Sequence, residues 1–153
     1  MILELRVLGE EIKRLRQENP EVKIVTTNGC FHFLHPGHFY FLKEAKKLGD
    51  VLIVGINKDD YIRKHKKREP LYNEDERAQM LDDLKSVDYV TVFEESNPIN
   101  FLSIVKPDFH VKGSDYSLER MLEREVVESN GGKIVLVPLL KGYSTTMLLD
   151  KLA

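Results

Sequence analysis

The sequence predicts an α/β fold built as a doubly wound parallel sheet of five strands with helices on both faces. Three observations predict it. Five short β-branched runs alternate with helical patterns along the chain, which is the order of a parallel sheet with right-handed crossovers. The run Val51–Ile56 is apolar throughout instead of alternating, as in a strand covered on both faces. No internal repeat, low-complexity tract or linker interrupts the alternation, so the 153 residues read as a single domain.

The first element is helical. Leu5, Leu8, Ile12 and Leu15 recur at three- and four-residue spacing with charges between them, one apolar stripe that ends at Asn19-Pro20, because proline disfavours helical geometry in the residue before it. Residues 1–20 are thus expected as a helix packed on an α/β core of residues 21–153. The strands are expected at Lys23–Thr27, Val51–Ile56, Tyr89–Phe93, Phe109–Val111 and Lys133–Val137. Between them, His38–Leu48 closes on Gly49, a good C-terminal cap. Glu74–Lys85 follows Asn73, with Glu76 three residues on as a capping box. Ile99–Val105 follows Asn97-Pro98, and proline suits a first helical turn. Leu118–Asn130 follows Ser117 and runs into Gly131-Gly132, and a last helix follows Ser144.

Composition narrows the partners. A net charge of -2 offers no general attraction for nucleic acid or an anionic membrane, so any anion site must be local. Cys30, the one cysteine, excludes an internal disulfide and a multi-cysteine zinc site. No apolar run approaches the roughly 18 residues that span a bilayer, and the charged N-terminus does not read as a signal peptide. The expected location is cytoplasmic.

In such sheets ligands bind beyond the carboxyl ends of the strands. The first strand runs into Thr27-Asn28-Gly29-Cys30-Phe31-His32-Phe33-Leu34-His35-Pro36-Gly37-His38. Pro36 places a helix start near His35, and a helix start offers free backbone N–H groups and a positive dipole end to phosphate. Gly37 leaves the approach open. His35 and His38, three apart in one turn, face the same ligand. This suits nucleotidyl transfer, in which an acceptor phosphate attacks the α-phosphorus and charge builds on the departing pyrophosphate. Positioned donors and positive charge matter there more than a covalent nucleophile. Two histidines, a helix end and Mg²⁺ would supply them, with ATP or CTP as co-substrate. His32, His35 and His38 also form a three-spaced triplet that could ligate zinc, although Pro36 and Gly37 suit a phosphate turn better.

With these residues in view, the chain resembles the cytidylyltransferase-like nucleotidyltransferases, which have a strand, a Gly-x-Phe turn and His-x-Gly-His. More narrowly it resembles the adenylyltransferases that make ADP-heptose from D-glycero-β-D-manno-heptose 1-phosphate and ATP. The matching stretches are Thr27–Phe31, Ala45–Asp50, Pro107-Asp108, Val111–Tyr116, Asn130–Gly132 and Gly142–Thr146. Two departures stand out. His32 occupies a position where the family has Asp, and Leu139-Leu140-Lys141-Gly142 stands where users of CTP carry Arg-Thr-x-Gly. The absent arginine argues for ATP.

The resemblance implies a Rossmann-like fold, transfer of AMP to a sugar 1-phosphate, a homodimer, and a separate sugar kinase upstream. It implies that His35 and His38 act on the leaving group, while Asn28, Gly29, Cys30, Phe31 and Gly37 cradle phosphate through the turn. Gly142 and Tyr143 lead into Ser144, Thr145 and Thr146, whose hydroxyls would hold the β- and γ-phosphates. Capping of the last helix is the plainer role for those hydroxyls.

Arg63–Arg68 is a basic run that reads as solvated surface, or as a mobile loop bringing Lys66 or Lys67 over the triphosphate. Arg77 would fix that loop or a phosphate, or pair on the helix surface with Glu74 or Asp82. Asp115 would hold ribose, metal or acceptor; Lys112 and Gly113 would approach the adenine through backbone groups; Asp59 reads as a cap. The Cys30 thiol is expected to be non-catalytic. Glycerol-3-phosphate cytidylyltransferase activity, adenylylation of flavin mononucleotide, and a nucleotide sensor without turnover are the competing functions.

Overall fold

A computed structural model describes Met1–Ala153. Helix α1 (Leu5–Glu18) leads into β1 (Ile24–Gly29), α2 (Pro36–Lys46), β2 (Val51–Asn57), α3 (Asp59–Lys66), α4 (Glu74–Asp82) and β3 (Tyr89–Phe93). Then come α5 (Ile99–Val105), β4 (Phe109–Gly113), a 3₁₀ turn (Leu118–Arg120), α6 (Arg124–Ser129), β5 (Lys133–Val137) and α7 (Thr145–Leu152). The sheet is wholly parallel, in the order β3-β2-β1-β4-β5. This is the expected doubly wound fold. The strand order reverses between β1 and β4, so their carboxyl ends part and leave a crevice.

The uninterrupted apolar run of β2 has the reason the sequence suggested. Leu52, Val54 and Ile56 face a core cluster with Leu42 and Ala45 of α2 and Ala78 and Leu81 of α4. Ile53 points the other way, into a second cluster with Leu8 and Ile12 of α1 and Phe101 and Val105 of α5. Each of these β2 side chains is fully buried, and each stabilises the fold by about 1.5–3 kcal/mol relative to exposure. Helix α1 lies close against α5, where a Cβ on Gly9 would stand 2.8 Å from Ile104 Cγ2. Asn73 and Glu76 form the expected reciprocal cap of α4, with amide bonds of 2.8 and 3.0 Å.

Three expectations are corrected. Leu118–Asn130 is not one helix. After the 3₁₀ turn, Met121 is extended (φ -83°, ψ 113°), and α6 starts only at Arg124. Met121 and Glu123 both turn inward there and are 9% and 7% exposed, which a continuous helix could not arrange. The basic run is not a loop either. Arg63 to Lys66 form the last turn of α3, whose first turn holds Asp59 and Asp60, a charge order that complements the helix dipole. Lys67 ends that helix in the left-handed conformation, φ 52°. Finally, Asp59 is the first residue of α3 and not its cap, which is Lys58.

Candidate active site

Gly29 ends β1, and Gly113 ends β4. Between them and the start of α7 lies a cleft of about 260 Å³. Of the residues expected at the site, Asn28, Gly29, Cys30, Phe31, His35, Gly37, His38, Lys112, Gly113, Asp115, Tyr143, Ser144 and Thr145 all line it. Lys66, Lys67 and Thr146 do not. Lys66 and Lys67 are exposed at the end of α3, held there by helical geometry. Lys66 is still near enough to act electrostatically on the Cys30 thiol. Thr146 is the second residue of α7, within the turn that Ser144 caps.

The turn after β1 is bent at Phe31, which takes φ 47° and buries its ring. A non-glycine residue in that region persists only where its surroundings hold it. Arg77 of α4 does so. Its side chain is fully buried and donates to Cys30 O at 2.7 Å, to Tyr72 O at 3.1 Å and to Asp59 Oδ1 at 2.7 Å. The expected roles for Arg77, fixing the basic run or pairing on the surface with Glu74 or Asp82, are not the ones realised; it holds the turn after β1 instead. One buried guanidinium thus ties the Cys30-Phe31 turn, the α3 start and the segment before α4.

Helix α2 begins at Pro36, with His35 as its N-cap. His35 Nδ1 accepts from Gly37 N–H at 3.1 Å, and His38 Nδ1 accepts from His35 N–H at 3.3 Å. A ring nitrogen that accepts an N–H carries no proton, so each neutral imidazole carries its proton on Nε2. The two rings stack at 3.8 Å, and Tyr143 lies beyond His35 at 6.2 Å. A Cβ on Gly37 would stand 2.9 Å from the His35 ring and 3.1 Å from Tyr143 Cβ, so glycine is what lets α7 and α2 close on each other here. Burial lowers the pKa of His35, and burial followed by the neighbouring histidines pushes that of His38 down to about 3. Both are therefore neutral Nε2–H donors at neutral pH.

The triplet His32, His35 and His38 does not gather as a metal-binding group. The backbone amides occupy two of its nitrogens, and His32 does not line the cleft. His32 Nε2 is buried without a partner; burial, then Arg68, Lys66 and Arg77, lower its pKa.

At the far side, Ser144 caps α7 by accepting from Met147 N–H at 3.1 Å, and Thr145 Oγ1 reaches Phe33 O at 3.5 Å. The plainer capping role is real for Ser144, while both residues still face the cleft. Lys112 approaches by its side chain, not by backbone alone: Nζ donates to Asn28 O at 3.2 Å and to Asn28 Oδ1 at 3.0 Å. The Cys30 thiol lies 3.8 Å from Asn57 Oδ1, and burial pushes its pKa up. Sequence reasoning missed Thr27, Phe41, Tyr116, Leu139 and Leu140 as lining residues. Tyr116 closes the Lys112–Tyr116 stretch, and Leu139 and Leu140 precede the Ser144 turn, so proximity to both motifs was their only signal.

The cleft combines a turn of backbone amides, a helix start with paired imidazole donors, a second capped helix start and one lysine. A set of this kind has the chemistry to bind a polyphosphate and to stabilise charge on a departing one. Similarity to known proteins agrees. The chain is 42% identical over 152 residues to the Bifunctional protein HldE of Citrifermentans bemidjiense, covering 99% of this chain and 31% of that protein. It is 46% identical to the Bifunctional protein HldE of Geobacter metallireducens over 131 residues, 85% of this chain and 27% of that one. The chain therefore spans about a third or less of the length of these relatives. Among solved structures, the lipopolysaccharide core biosynthesis protein of Thermoplasma volcanium superposes with TM-score 0.66 at 30% identity, covering 80% of this chain and 99% of that chain. A pantoate-beta-alanine ligase of Francisella tularensis, complexed with beta-gamma ATP and beta-alanine, shares the fold with TM-score 0.63 at 20% identity, covering 99% of this chain and 76% of that chain. The family model described as cytidylyltransferase-like matches residues 26–149, and with this cleft inside those bounds the chain belongs to the cytidylyltransferase-like family of nucleotidyltransferases.

Proposed function

We propose that this chain transfers AMP from ATP to a sugar 1-phosphate, D-glycero-β-D-manno-heptose 1-phosphate, with release of pyrophosphate. The observation that carries nucleotidyl transfer is the pair of stacked, neutral imidazoles whose Nδ1 atoms are pinned by backbone amides. An acceptor phosphate oxygen forms a bond to the α-phosphorus as the bond to the β-phosphate oxygen breaks. The Nε2–H groups of His35 and His38 donate to the charge that appears on the leaving pyrophosphate. Deleting one such donor typically costs about 10²–10³ in rate.

The amides of the Cys30-Phe31 turn and the start of α7 at Ser144 and Thr145 cradle the triphosphate. Lys66 and Lys67 would reach it only by movement of the α3 end, which no cleft contact now holds. Asp115 is the one carboxylate lining the cleft, a donor set that fits an Mg²⁺ carried in by ATP and held mainly by phosphates and water. When bound, that ion would offset phosphate charge. The heptose is supported by the Val111–Tyr116 stretch and the 42–46% identity to proteins named HldE. ATP is supported by the leucines at 139 and 140 where arginine and threonine serve CTP.

The test is pyrophosphate release with ATP, and separately with CTP, against heptose 1-phosphate, other sugar 1-phosphates, glycerol 3-phosphate and flavin mononucleotide. Turnover of heptose 1-phosphate with ATP alone is expected. Turnover of another pair keeps the chemistry and moves the substrate. ATP binding without release for any acceptor refutes catalysis and leaves a nucleotide sensor.

A further inference from the structure

Behind the cleft floor runs a chain of buried polar groups that the proposed chemistry does not use. Thr26 Oγ1 and His110 Nδ1 are 2.8 Å apart. His110 Nε2, buried without a hydrogen-bond partner, faces Glu123 Oε1 at 3.8 Å. The same oxygen stands 4.0 Å from Lys112 Nζ. Lys112 in turn holds both oxygens of Asn28 and lies 4.7 Å from the Tyr116 ring centre. Lys112 is 5% exposed and Glu123 7%. His110 and Lys112 are the side chains that pair with the Glu123 carboxylate, and the chain bends inward at 121–123 to deliver it.

Lys112 is the only lysine or arginine lining the cleft. With both histidines neutral, it is the resident positive charge for a phosphate ligand. An ammonium has no acceptor capacity, so it must face Asn28 Oδ1, and the Asn28 NH₂ is left as a free donor.

We propose that Glu123 is a positioning residue, which holds the Lys112 ammonium between Asn28 and Tyr116 as the counter-charge for a phosphoryl oxygen bound at the ends of β1 and β4. This rests on the nucleotidyl-transfer reading. The phosphoryl group belongs either to the α-position of the nucleotide or to the acceptor. Burial favours loss of the Lys112 proton; Glu123 first, then Asp115 and Cys30, oppose it. Burial also works against the Glu123 charge, yet the facing His110, the backbone N–H and Lys112 hold its pKa below the ordinary range. The titratable groups around the ammonium are thus Cys30 after β1, His110 on β4, Asp115 and Tyr116 after β4, and Glu123 before α6. Of these, Glu123 acts most strongly to keep it charged.

The experiment compares Glu123→Gln with the native protein from pH 6.5 to 9, reading kcat, each KM and, by calorimetry, ATP affinity. The ratio of variant to native kcat/KM is expected to fall at least about fivefold across that range, because the amide no longer supports the ammonium. Adding Glu123→Gln to Lys112→Met should produce no such fall. A raised Kd for ATP assigns the α-phosphate; a raised acceptor KM alone assigns the acceptor phosphate. A ratio independent of pH overturns the proposal and leaves Glu123 a packing residue. Should Glu123→Gln fail to fold, carbon-13 NMR of the Lys112 ε-carbon in the native protein, assigned by its absence in Lys112→Arg, decides: ATP or the acceptor heptose 1-phosphate must shift that signal, and a signal unmoved by either overturns the proposal. Native protein that binds ATP but releases no pyrophosphate refutes catalysis, while the affinity and NMR readings still judge Glu123.

Discussion

Arg77→Leu is expected to be among the most damaging single substitutions in this protein, through the site as well as the fold. The guanidinium is completely buried and makes three hydrogen bonds, two of them at 2.7 Å. Leucine fills much of the space but strands the Asp59 carboxylate, 14% exposed, and two carbonyls, Cys30 O and Tyr72 O. Removing one partner of a buried pair costs about 3–5 kcal/mol, and each orphaned acceptor alone costs about 1–3 kcal/mol; these overlap, so about 4 kcal/mol is the working figure. For a chain of this size that lowers Tm by roughly 8–16 °C, at about 2–4 °C per kcal/mol. Thermal melts followed by circular dichroism read it directly. The same change releases the left-handed turn at Phe31, so ATP affinity measured well below the new Tm should also weaken. A Tm within about 2 °C of native would refute the reasoning, since an uncompensated buried carboxylate cannot be that cheap. A lowered Tm with native ATP affinity would refute the link from Arg77 to the phosphate turn.

His38→Ala should cut kcat by about a hundredfold or more with the fold kept, by the scale of single-donor deletions; a near-native rate in the pyrophosphate assay would remove His38 from the chemistry. Gly37→Ala puts a methyl 2.9 Å from the His35 ring, so kcat should fall at least about tenfold while Tm moves little, and unchanged kinetics would show that the ring yields at no cost. Cys30→Ala should keep kcat within about threefold of native, because the thiol's raised pKa leaves it protonated and its backbone N–H is retained; an inactive but folded variant would overturn this. Stability should fall on acidification. The folded pKa of His38, about 3, is below its ordinary 6.5, and His32, His35 and His110 are shifted the same way. The unfolded chain therefore binds more protons between those values, so the contribution is complete above pH 6.5 and is lost as pH falls toward 3. Melts at pH 7.5 and 5 measure it, and an equal Tm at both would contradict the burial of these rings.

Local chemistry alone determined most of the architecture. Proline at 36 and 98, the Asn73 and Ser144 caps and the apolar period of α1 act within a turn or two of chain, so their effect is readable without the rest of the protein. The His-x-Gly-His turn was legible for the same reason: one helix start sets both imidazoles and their tautomers. The α3 helix was not legible, since eight residues with Tyr61 and Ile62 as their only apolar members carry too little periodicity. Nor was the break at Met121, where helix-forming residues are overruled by the burial of Met121 and Glu123.

What only the tertiary structure decided are partnerships between residues far apart in the chain. Arg77 meets Cys30 O across 47 positions, and Lys112 meets Asn28 across 84. A charged side chain in a sequence carries no mark of whether it ends in water or in the core. That depends on which strands lie side by side, and the order β2-β1-β4 places one cation under the phosphate turn and another beside the cleft, with Glu123 behind it.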